Sequence, residues 1–389
     1  MSPSPESVLG IDLGTTFCTA ALLSDGRLHY VLDGRGDACI PSVVHFPRRG
    51  PPLIGADADR MRASDPANTI WGIKRLIGKA AEAASARILD ASAAFTIRAP
   101  PGGGEAEIVA RDVRYRASEV ASLLLRYLRE QAQARFGRRI GKAIVTVPVT
   151  ATAEVKKAMI DCGKMAGLEI TRIIAEPVAG ALAHAGPGLK DGVPLLVFDF
   201  GGGTFDATVV LRQGTLIRVL SADGDDCLGG HDFDLAFARS IADAVWRSRK
   251  VDVTHDLVLW DRIQRQSEQV KRALSFAESA RFHVPEAFSA ESGPTDLDAQ
   301  LRREQVEGHW TELVERSIEA CSRALQQAGA RPDQLGAVLL IGGTSYIPLV
   351  RRRVAQSFQR PYLVEEEPQT AVARGAALLA ARGASLLAA

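Results

Sequence analysis

One short stretch of the sequence decides the fold, Val197-Phe198-Asp199-Phe200-Gly201-Gly202-Gly203-Thr204-Phe205-Asp206. An apolar run enters this stretch at residues 195–198, and a β-branched run leaves it at residues 208–210. The pattern predicts a β-hairpin whose turn carries no side chains. Three glycines leave several backbone N–H groups accessible and able to adopt positive φ, which suits contact between the main chain and a polyanion.

Acids stand at both ends of the predicted turn. Asp199 precedes the glycines and Asp206 follows them, while Thr204 adds a hydroxyl. Carboxylates in this position suit a hard cation that lies between the protein and a phosphate. The alternative is a tight glycine turn with incidental acids. The stretch alone leaves both interpretations open.

The start of the chain repeats the pattern in Val8-Leu9-Gly10-Ile11-Asp12-Leu13-Gly14-Thr15-Thr16-Phe17. A second pair of similar segments follows at nearly the same separation. Residues 143–148 and 337–343 are apolar, and each leads into a segment with helical spacing. Two units repeated in the same order indicate a duplicated domain. We expect two halves that face each other across a cleft, with both turns meeting in it.

The composition indicates an ordinary soluble protein. The chain has 389 residues, which is long enough for two lobes, with 46% hydrophobic and 24% charged residues. Its 47 basic and 46 acidic residues give no electrostatic case for nucleic acid or a membrane surface. Five scattered cysteines without a C-x-x-C pair fit reduced thiols in a cytosol. We expect a soluble, cytoplasmic monomer that binds neither nucleic acid nor membrane.

We expect lobe I at residues 1–188, with an inserted subdomain at about 41–117, completed by a C-terminal helix at 368–389. Lobe II is expected at residues 189–367, with an insert at about 230–306. In the first insert, residues 79–94 are expected to be a helix or a loose connection. An amphipathic helix follows, with Ser118 as its expected cap and Gly137 as its stop.

Seven motifs, in order, resemble the nucleotide-binding domain of the 70-kDa heat-shock chaperones, within the actin and hexokinase-like ATPase superfamily. They lie at residues 10–16, 73–78, 144–148, 175–177, 199–206, 228–234 and 341–343. Ile73-Lys-Arg-Leu-Ile-Gly78 separates this family from actins and sugar kinases. The resemblance implies an α/β duplicated actin-like ATPase fold. Each lobe would have a mixed β-sheet flanked by helices, with a nucleotide in the central cleft.

The resemblance also implies a set of site residues. Asp12 and Asp199 would hold hydrated Mg²⁺, with Asp206 nearby. The expected catalytic residues are Lys74, Glu176, Asp199, Thr204 and Asp206. The expected cofactor-binding residues at this end are Gly14, Thr15, Thr16, Phe17, Gly201, Gly202, Gly203, Thr204, Gly229 and Gly230. Among them, Thr15, Thr16 and the amides of residues 201–203 would cradle the phosphates, with Thr204 close by. ATP or ADP and Mg²⁺ are the implied cofactors, and K⁺ is an additional candidate.

By the same resemblance, Glu268 and Lys271 would bond the ribose, and Arg272 would stack on adenine. The opposite wall would be formed by Gly342, Gly343, Ser345 and Tyr346. Spacings of three and four place the three charged residues on one helix face, and a solvated face is the alternative.

Several residues depart from the family pattern. Tyr346 stands where a second adenine-flanking arginine is usual, and His231 stands where an acid is usual. Lys156 replaces an interdomain-signalling arginine, residues 149–152 lack the usual aromatic, and Gln369 and Thr370 replace acids. Some of these changes affect the expected adenosine site, and others affect segments expected to signal between domains. None removes a residue of the expected phosphate site.

The resemblance implies a slow Mg²⁺-dependent ATPase whose lobes close on ATP and signal to a partner. A co-chaperone, a nucleotide-exchange factor and a separate peptide-binding chain are the expected partners. Only six residues follow Gly383, so we expect no peptide-binding domain within these 389 residues. One alternative is a nucleotide-sensing module with little or no hydrolysis. A weaker alternative is a small-molecule kinase of the same superfamily.

Overall fold

The computed structural model describes residues 7–382 except 84–85, 87–88, 90–92, 185–189, 215, 291–292 and 365–366. Its first sheet is built around a hairpin, here called the first hairpin, of strands Val8–Leu13 and Phe17–Ser24. In spatial order the sheet consists of Glu169–Ala175, Lys142–Val147, Val8–Leu13, Phe17–Ser24 and Arg27–Tyr30, with the short strand Ile40–Pro41 paired to Phe17–Ser24. Leu9, Ile11 and Leu13 are fully buried and anchor the central strand in the core.

The second sheet has the same strand order around the second hairpin, Pro194–Phe200 and Phe205–Gln213. Its strands in space are Leu216–Asp225, Phe205–Gln213, Pro194–Phe200, Ala337–Ile341 and Tyr362–Val364. In both sheets the first strand of the hairpin pairs antiparallel with the second and parallel with a later strand. The predicted α/β fold and its duplication are confirmed.

Helices cover the sheets and also lie between them. The described helices are Ala56–Met61, Ala117–Phe136, Ala153–Ala166, Glu176–Ala183, Gly230–Arg249, Leu257–Leu274, Arg303–Glu307, Thr311–Gln327, Pro348–Phe358 and Ala371–Arg382. One apolar cluster joins both sheets to the helices Glu176–Ala183 and Ala371–Arg382. These two helices cross closely, since a Cβ added at Gly375 would lie 1.7 Å from the carbonyl oxygen of Ala179.

Among the residues that the structure describes, three smaller sheets lie outside the two central ones. Two are formed in the first insert, by Val44–His45, Leu53–Ile54 and Thr69–Ile70 and by Thr96–Arg98, Glu107–Ala110 and Val113–Arg116. The third is the hairpin Ser279–Ala290 and Gly293–Arg302. It packs beside the helix Leu257–Leu274 and gives that helix a buried side.

One predicted helix cap is wrong. The helix that follows the first insert begins at Ala117, so Ser118 lies inside it, and the Ser118 hydroxyl donates to Glu105 at 2.6 Å. The Glu119 carboxylate instead accepts the backbone N–H of Arg116 at 2.8 Å. The predicted stop at Gly137 is confirmed, with φ of 62°.

The predicted lobe boundaries stay predictions. The division at residues 188 and 189 lies outside the described residues, as do residues 383–389 of the expected C-terminal helix and seven positions of the 79–94 segment.

Candidate functional site

A cavity of about 400 Å³ opens between the turns of the two hairpins. Most of the site residues expected from the sequence line it. These are Asp12, Gly14, Thr15, Thr16, Phe17, Lys74, Glu176, Asp199, Gly201, Gly202, Thr204, Gly230, Glu268, Lys271, Arg272, Gly342, Gly343 and Tyr346. Four expected residues lie outside its lining: Gly203, Asp206, Gly229 and Ser345.

The two hairpin turns interlock at the floor of the cavity. A Cβ added at Gly202 would lie 2.0 Å from the Thr16 hydroxyl oxygen, and one added at Gly203 would lie 2.4 Å from the Thr15 methyl carbon. The two turns therefore approach so closely that neither Gly202 nor Gly203 has room for a side chain. None of the three glycines uses the positive φ that glycine permits.

Acidic groups and one lysine converge beside these turns. Lys74 lies in a short 3₁₀ turn, Ile73–Arg75, and its ammonium is 2.7 Å from the Glu176 carboxylate and 3.8 Å from that of Asp12. Glu176 is the first residue of a helix between the sheets, and Asp12 lies near the end of the strand Val8–Leu13. The Thr146 hydroxyl donates to Asp12 at 3.1 Å. Three separate segments thus bring opposite charges together at one end of the cavity.

Burial is the main cause of the shifted pKa values in this cluster, and the neighbouring charges modify them. Burial raises the pKa of Glu176 to about 7, although Lys74 opposes the shift. Burial, followed by the charges of Glu176 and Asp206, raises the pKa of Asp199 well above its usual range. Burial disfavours the charge of Lys74, but Glu176 and Asp12 outweigh that effect and raise its pKa. The cluster therefore carries excess acid that a cation would stabilise.

Asp206 lies behind the cavity. It stands directly across the second hairpin from Asp199 and is 2% exposed. Burial and the charge of Glu176 raise its pKa to about 8, and a hydrogen bond from the backbone of Val149 partly opposes the rise. Asp206 thus connects the hairpin with the segment that follows Pro148.

Sequence reasoning missed Arg75, which is buried next to Lys74. Its guanidinium donates to the carbonyl oxygen of Gly203 at 3.1 Å and to Asp232 at 2.8 Å. Lys74 therefore reaches a residue of the first half while Arg75 reaches the second. The position of Arg75 inside the 73–78 motif was the available indication.

The helix Leu257–Leu274 brings Glu268, Lys271 and Arg272 to the cavity, as the sequence predicted. The Lys271 ammonium is held 2.7 Å from the Gly230 carbonyl oxygen and 2.8 Å from the Asp234 carboxylate. Burial raises the pKa of Asp234 to about 7, against the effect of Lys271. The Arg272 guanidinium lies 5.5 Å from the centre of the Phe17 ring.

At the opposite wall, one residue differs from expectation. Ser345 is fully buried and its hydroxyl donates to the Ile341 carbonyl oxygen at 2.7 Å. Thr344 lines the cavity instead, and its hydroxyl donates to Gly201 at 2.8 Å. The Tyr346 ring lies 5.3 Å from that of Phe276, an exposed aromatic at the cavity rim that the sequence analysis did not single out.

His231 lies in the cavity wall against Trp71, with ring centres 4.7 Å apart. Burial, reinforced by Arg75, Arg62 and Lys271, lowers its pKa well below the ordinary value. The imidazole is therefore neutral at neutral pH. The cavity wall therefore carries an uncharged aromatic ring at this position.

The donor set fits a hard divalent cation that retains its water. Within the described ranges, no three His, Cys, Asp or Glu side chains are grouped so that they could hold a metal ion alone. Mg²⁺ commonly binds through one or two carboxylates, several waters and phosphate oxygens, and Asp12 and Asp199 would supply two such carboxylates at the cavity.

Comparison with known proteins decides the family. A family model described as Hsp70 protein matches residues 8–384. The chain belongs to the Hsp70 family. A chaperone protein DnaK of Stenotrophomonas maltophilia (strain R551-3) is 32% identical over 380 residues, which cover 95% of this chain and 59% of that DnaK. This Hsp70 chain thus spans about three-fifths of that relative. None of the helices described is both long and apolar enough to cross a bilayer.

Proposed function

We propose that the cavity binds ATP with Mg²⁺ and hydrolyses ATP to ADP and phosphate. The observation that supports this most directly is the convergence of Lys74, Glu176 and Asp12 beside the interlocked turns. Glycine turns present backbone N–H groups to phosphate, and carboxylates present oxygen to a cation.

In this proposal each half of the protein supplies one phosphate loop. Thr15 and Thr16 cradle phosphate from the first hairpin, and residues 201–204 cradle it from the second. Asp12 and Asp199 would hold the hydrated Mg²⁺, which would offset phosphate charge when bound. Lys74 orients the attacking water. Glu176 has a pKa of about 7 and can accept a proton near neutral pH.

Adenosine would occupy the end of the cavity near the helix Leu257–Leu274. Glu268 and Lys271 bond the ribose in this arrangement, and Arg272 and Tyr346 flank the base. An ammonium has three donors, and two of those of Lys271 already reach Gly230 and Asp234. One donor is left for a ribose hydroxyl.

Hydrolysis is expected to be slow because Lys74 and Glu176 are bonded to each other in the structure. The pair occupies one of the three donors of Lys74 and one oxygen of Glu176, so fewer positions remain with which the two groups can orient and deprotonate water. We propose that closure of the two halves on ATP signals to a partner, which would be a co-chaperone, an exchange factor or a separate peptide-binding chain. The protein would act as a cytoplasmic monomer, with K⁺ as an additional candidate ion.

The same ion pair favours the nucleotide-sensing module as the second candidate function. If Lys74 and Glu176 stay paired when ATP is bound, ATP would hold the halves together without being cleaved. The Hsp70 match makes the small-molecule kinase the weaker interpretation.

Calorimetry and product analysis on the same preparation test the proposal. We expect ATP to bind with Mg²⁺ and much more weakly with excess chelator, and ADP to form slowly. Tight binding without ADP formation over hours would support the sensing module. Failure of ATP to bind with Mg²⁺ would contradict both.

A further inference from the structure

We propose that a second cavity, adjoining the phosphate end of the first, is the route by which inorganic phosphate leaves the protein. The inference rests on the proposed hydrolysis of ATP. The second cavity has a volume of about 60 Å³. That is well above the ~10–15 Å³ that a water molecule needs, so the space suits a small ion rather than a nucleotide.

The two cavities meet at the proposed phosphate site. Both are lined by Thr15, Lys74, Arg75 and Thr204. A phosphate cut from ATP would therefore start at their common wall. Bound ADP would fill the first cavity and obstruct that way out. The second cavity offers a path that does not require ADP to leave first.

The lining of this path suits an anion in transit. Three cationic side chains line the second cavity. Their exposed fractions are 9% for Lys74, 1% for Arg75 and 24% for Lys79. Much of the remaining wall is apolar and includes Val147 and Met159. Cationic groups attract phosphate, whereas apolar walls offer it no hydrogen bonds in which to settle.

An ion pair between two partly exposed side chains forms part of the lining. The Lys79 ammonium lies 2.6 Å from Asp226, and the Thr150 hydroxyl donates to the same carboxylate at 2.9 Å. The three residues come from the first insert, the second half and the segment after Pro148. An arriving phosphate can replace Asp226 on Lys79, so the pair opens without leaving the ammonium unpaired. The Asp226 side chain is 38% exposed, so breaking its ion pair with Lys79 costs little free energy.

Phosphate escape can be measured apart from ATP cleavage. Inorganic phosphate is loaded onto the full chain with ADP and Mg²⁺, and its escape into a fluorescent phosphate sensor is followed in a stopped-flow instrument. We expect escape to be independent of excess ADP. Asp226→Asn should accelerate it by about two- to fivefold, as expected for loss of a partly exposed ion pair.

Ala151→Phe places a bulky side chain in the cavity wall and should slow escape. Asp161→Asn, at an exposed carboxylate outside the cavity that also pairs with lysine, is the matched control and should change nothing. The proposed route would be overturned if phosphate escaped only after ADP dissociated and if it escaped at equal rates from the parent and the three variants. ADP formation from ATP is measured separately, so its absence would overturn the proposed hydrolysis and the route together.

Discussion

At the scale of single residues, Lys74 and Arg75 show how one turn serves both halves of the protein. They are neighbours in the chain, yet Lys74 bonds Glu176 while Arg75 bonds Gly203 and Asp232. A 3₁₀ turn sends successive side chains in different directions, so two adjacent cations can face two separate acids. The first insert is thereby tied to both hairpins at the proposed phosphate site.

The buried carboxylate of Asp206 predicts how stability depends on pH. Its pKa is raised from 3.8 to about 8, so the folded protein retains a proton that the unfolded chain releases. The stability contribution therefore falls as pH rises between about 4 and 8. Asp206→Asn cannot titrate and removes this decline. Without nucleotide, its melting temperature relative to the parent should rise by at least about 2 °C from pH 5 to pH 8.

Asp161→Asn is the control for this comparison. Neighbouring lysines lower the pKa of Asp161, so it titrates below the tested range. Its melting difference from the parent should be the same at both pH values. A constant difference for Asp206→Asn as well would show that Asp206 is ionised in the folded protein.

The resemblance to the 70-kDa heat-shock family, rather than residue type and spacing alone, supplied the residues of the acidic cluster. It implied Lys74, Glu176, Asp12 and Asp199 in one cleft, and all four line the same cavity. Ser345 was misplaced because the direction of a side chain in the turn Gly343–Tyr346 depends on backbone geometry that spacing does not reveal. For the same reason, the sequence did not indicate that Thr344 lines the cavity.

At the scale of elements, two cross-cleft ion pairs hold the first insert against the helix Leu257–Leu274. Arg62 lies 2.8 Å from Asp261, and Asp59 lies 2.9 Å from Arg265. The Arg62 guanidinium also stacks 4.8 Å from the centre of the Trp71 ring. Both pairs border the cavity mouth, so they bias the position of the insert before a ligand binds.

Loss of the buried pair should be costly. Arg62→Ala leaves the carboxylate of Asp261 buried without its guanidinium, and Asp261 is 4% exposed. We expect a loss of about 3–5 kcal/mol in unfolding free energy, measured by denaturant titration. Lys157→Ala, which breaks an exposed pair, should leave the transition in place. Equal transitions for Arg62→Ala and the parent would mean that the pair does not form.

Helices and strands could be predicted where a single pattern of apolar residues dominated the segment. Both hairpins were predicted because apolar runs flank their turns, and the helix Ala117–Phe136 was predicted from its spacing. The arrangement of the inserts was not, because their ion pairs join residues about 200 positions apart in the chain, such as Arg62 and Asp261. Charge alone does not select a partner at such a separation.

At the scale of the whole molecule, the two sheets are joined through two closely crossing helices. Gly375→Ala would place a methyl carbon 1.7 Å from the Ala179 carbonyl oxygen. The helices must separate to admit it, and we expect a loss of about 1–3 kcal/mol in unfolding free energy. Gly308→Ala is the control, because Gly308 has φ of −57° and no atom near an added Cβ. Equal stability of the two variants would contradict this packing.

The account's central claim is that the Lys74 cluster performs phosphoryl transfer to water. Single-turnover hydrolysis of ATP by Lys74→Ala, beside the exposed-lysine control Lys157→Ala, tests it most directly. We predict that Lys74→Ala still binds ATP with Mg²⁺ but forms ADP at least about 100-fold more slowly, as for loss of a preorganised electrostatic group. Lys157→Ala should match the parent. ADP formation by Lys74→Ala at the parental rate would contradict the claim.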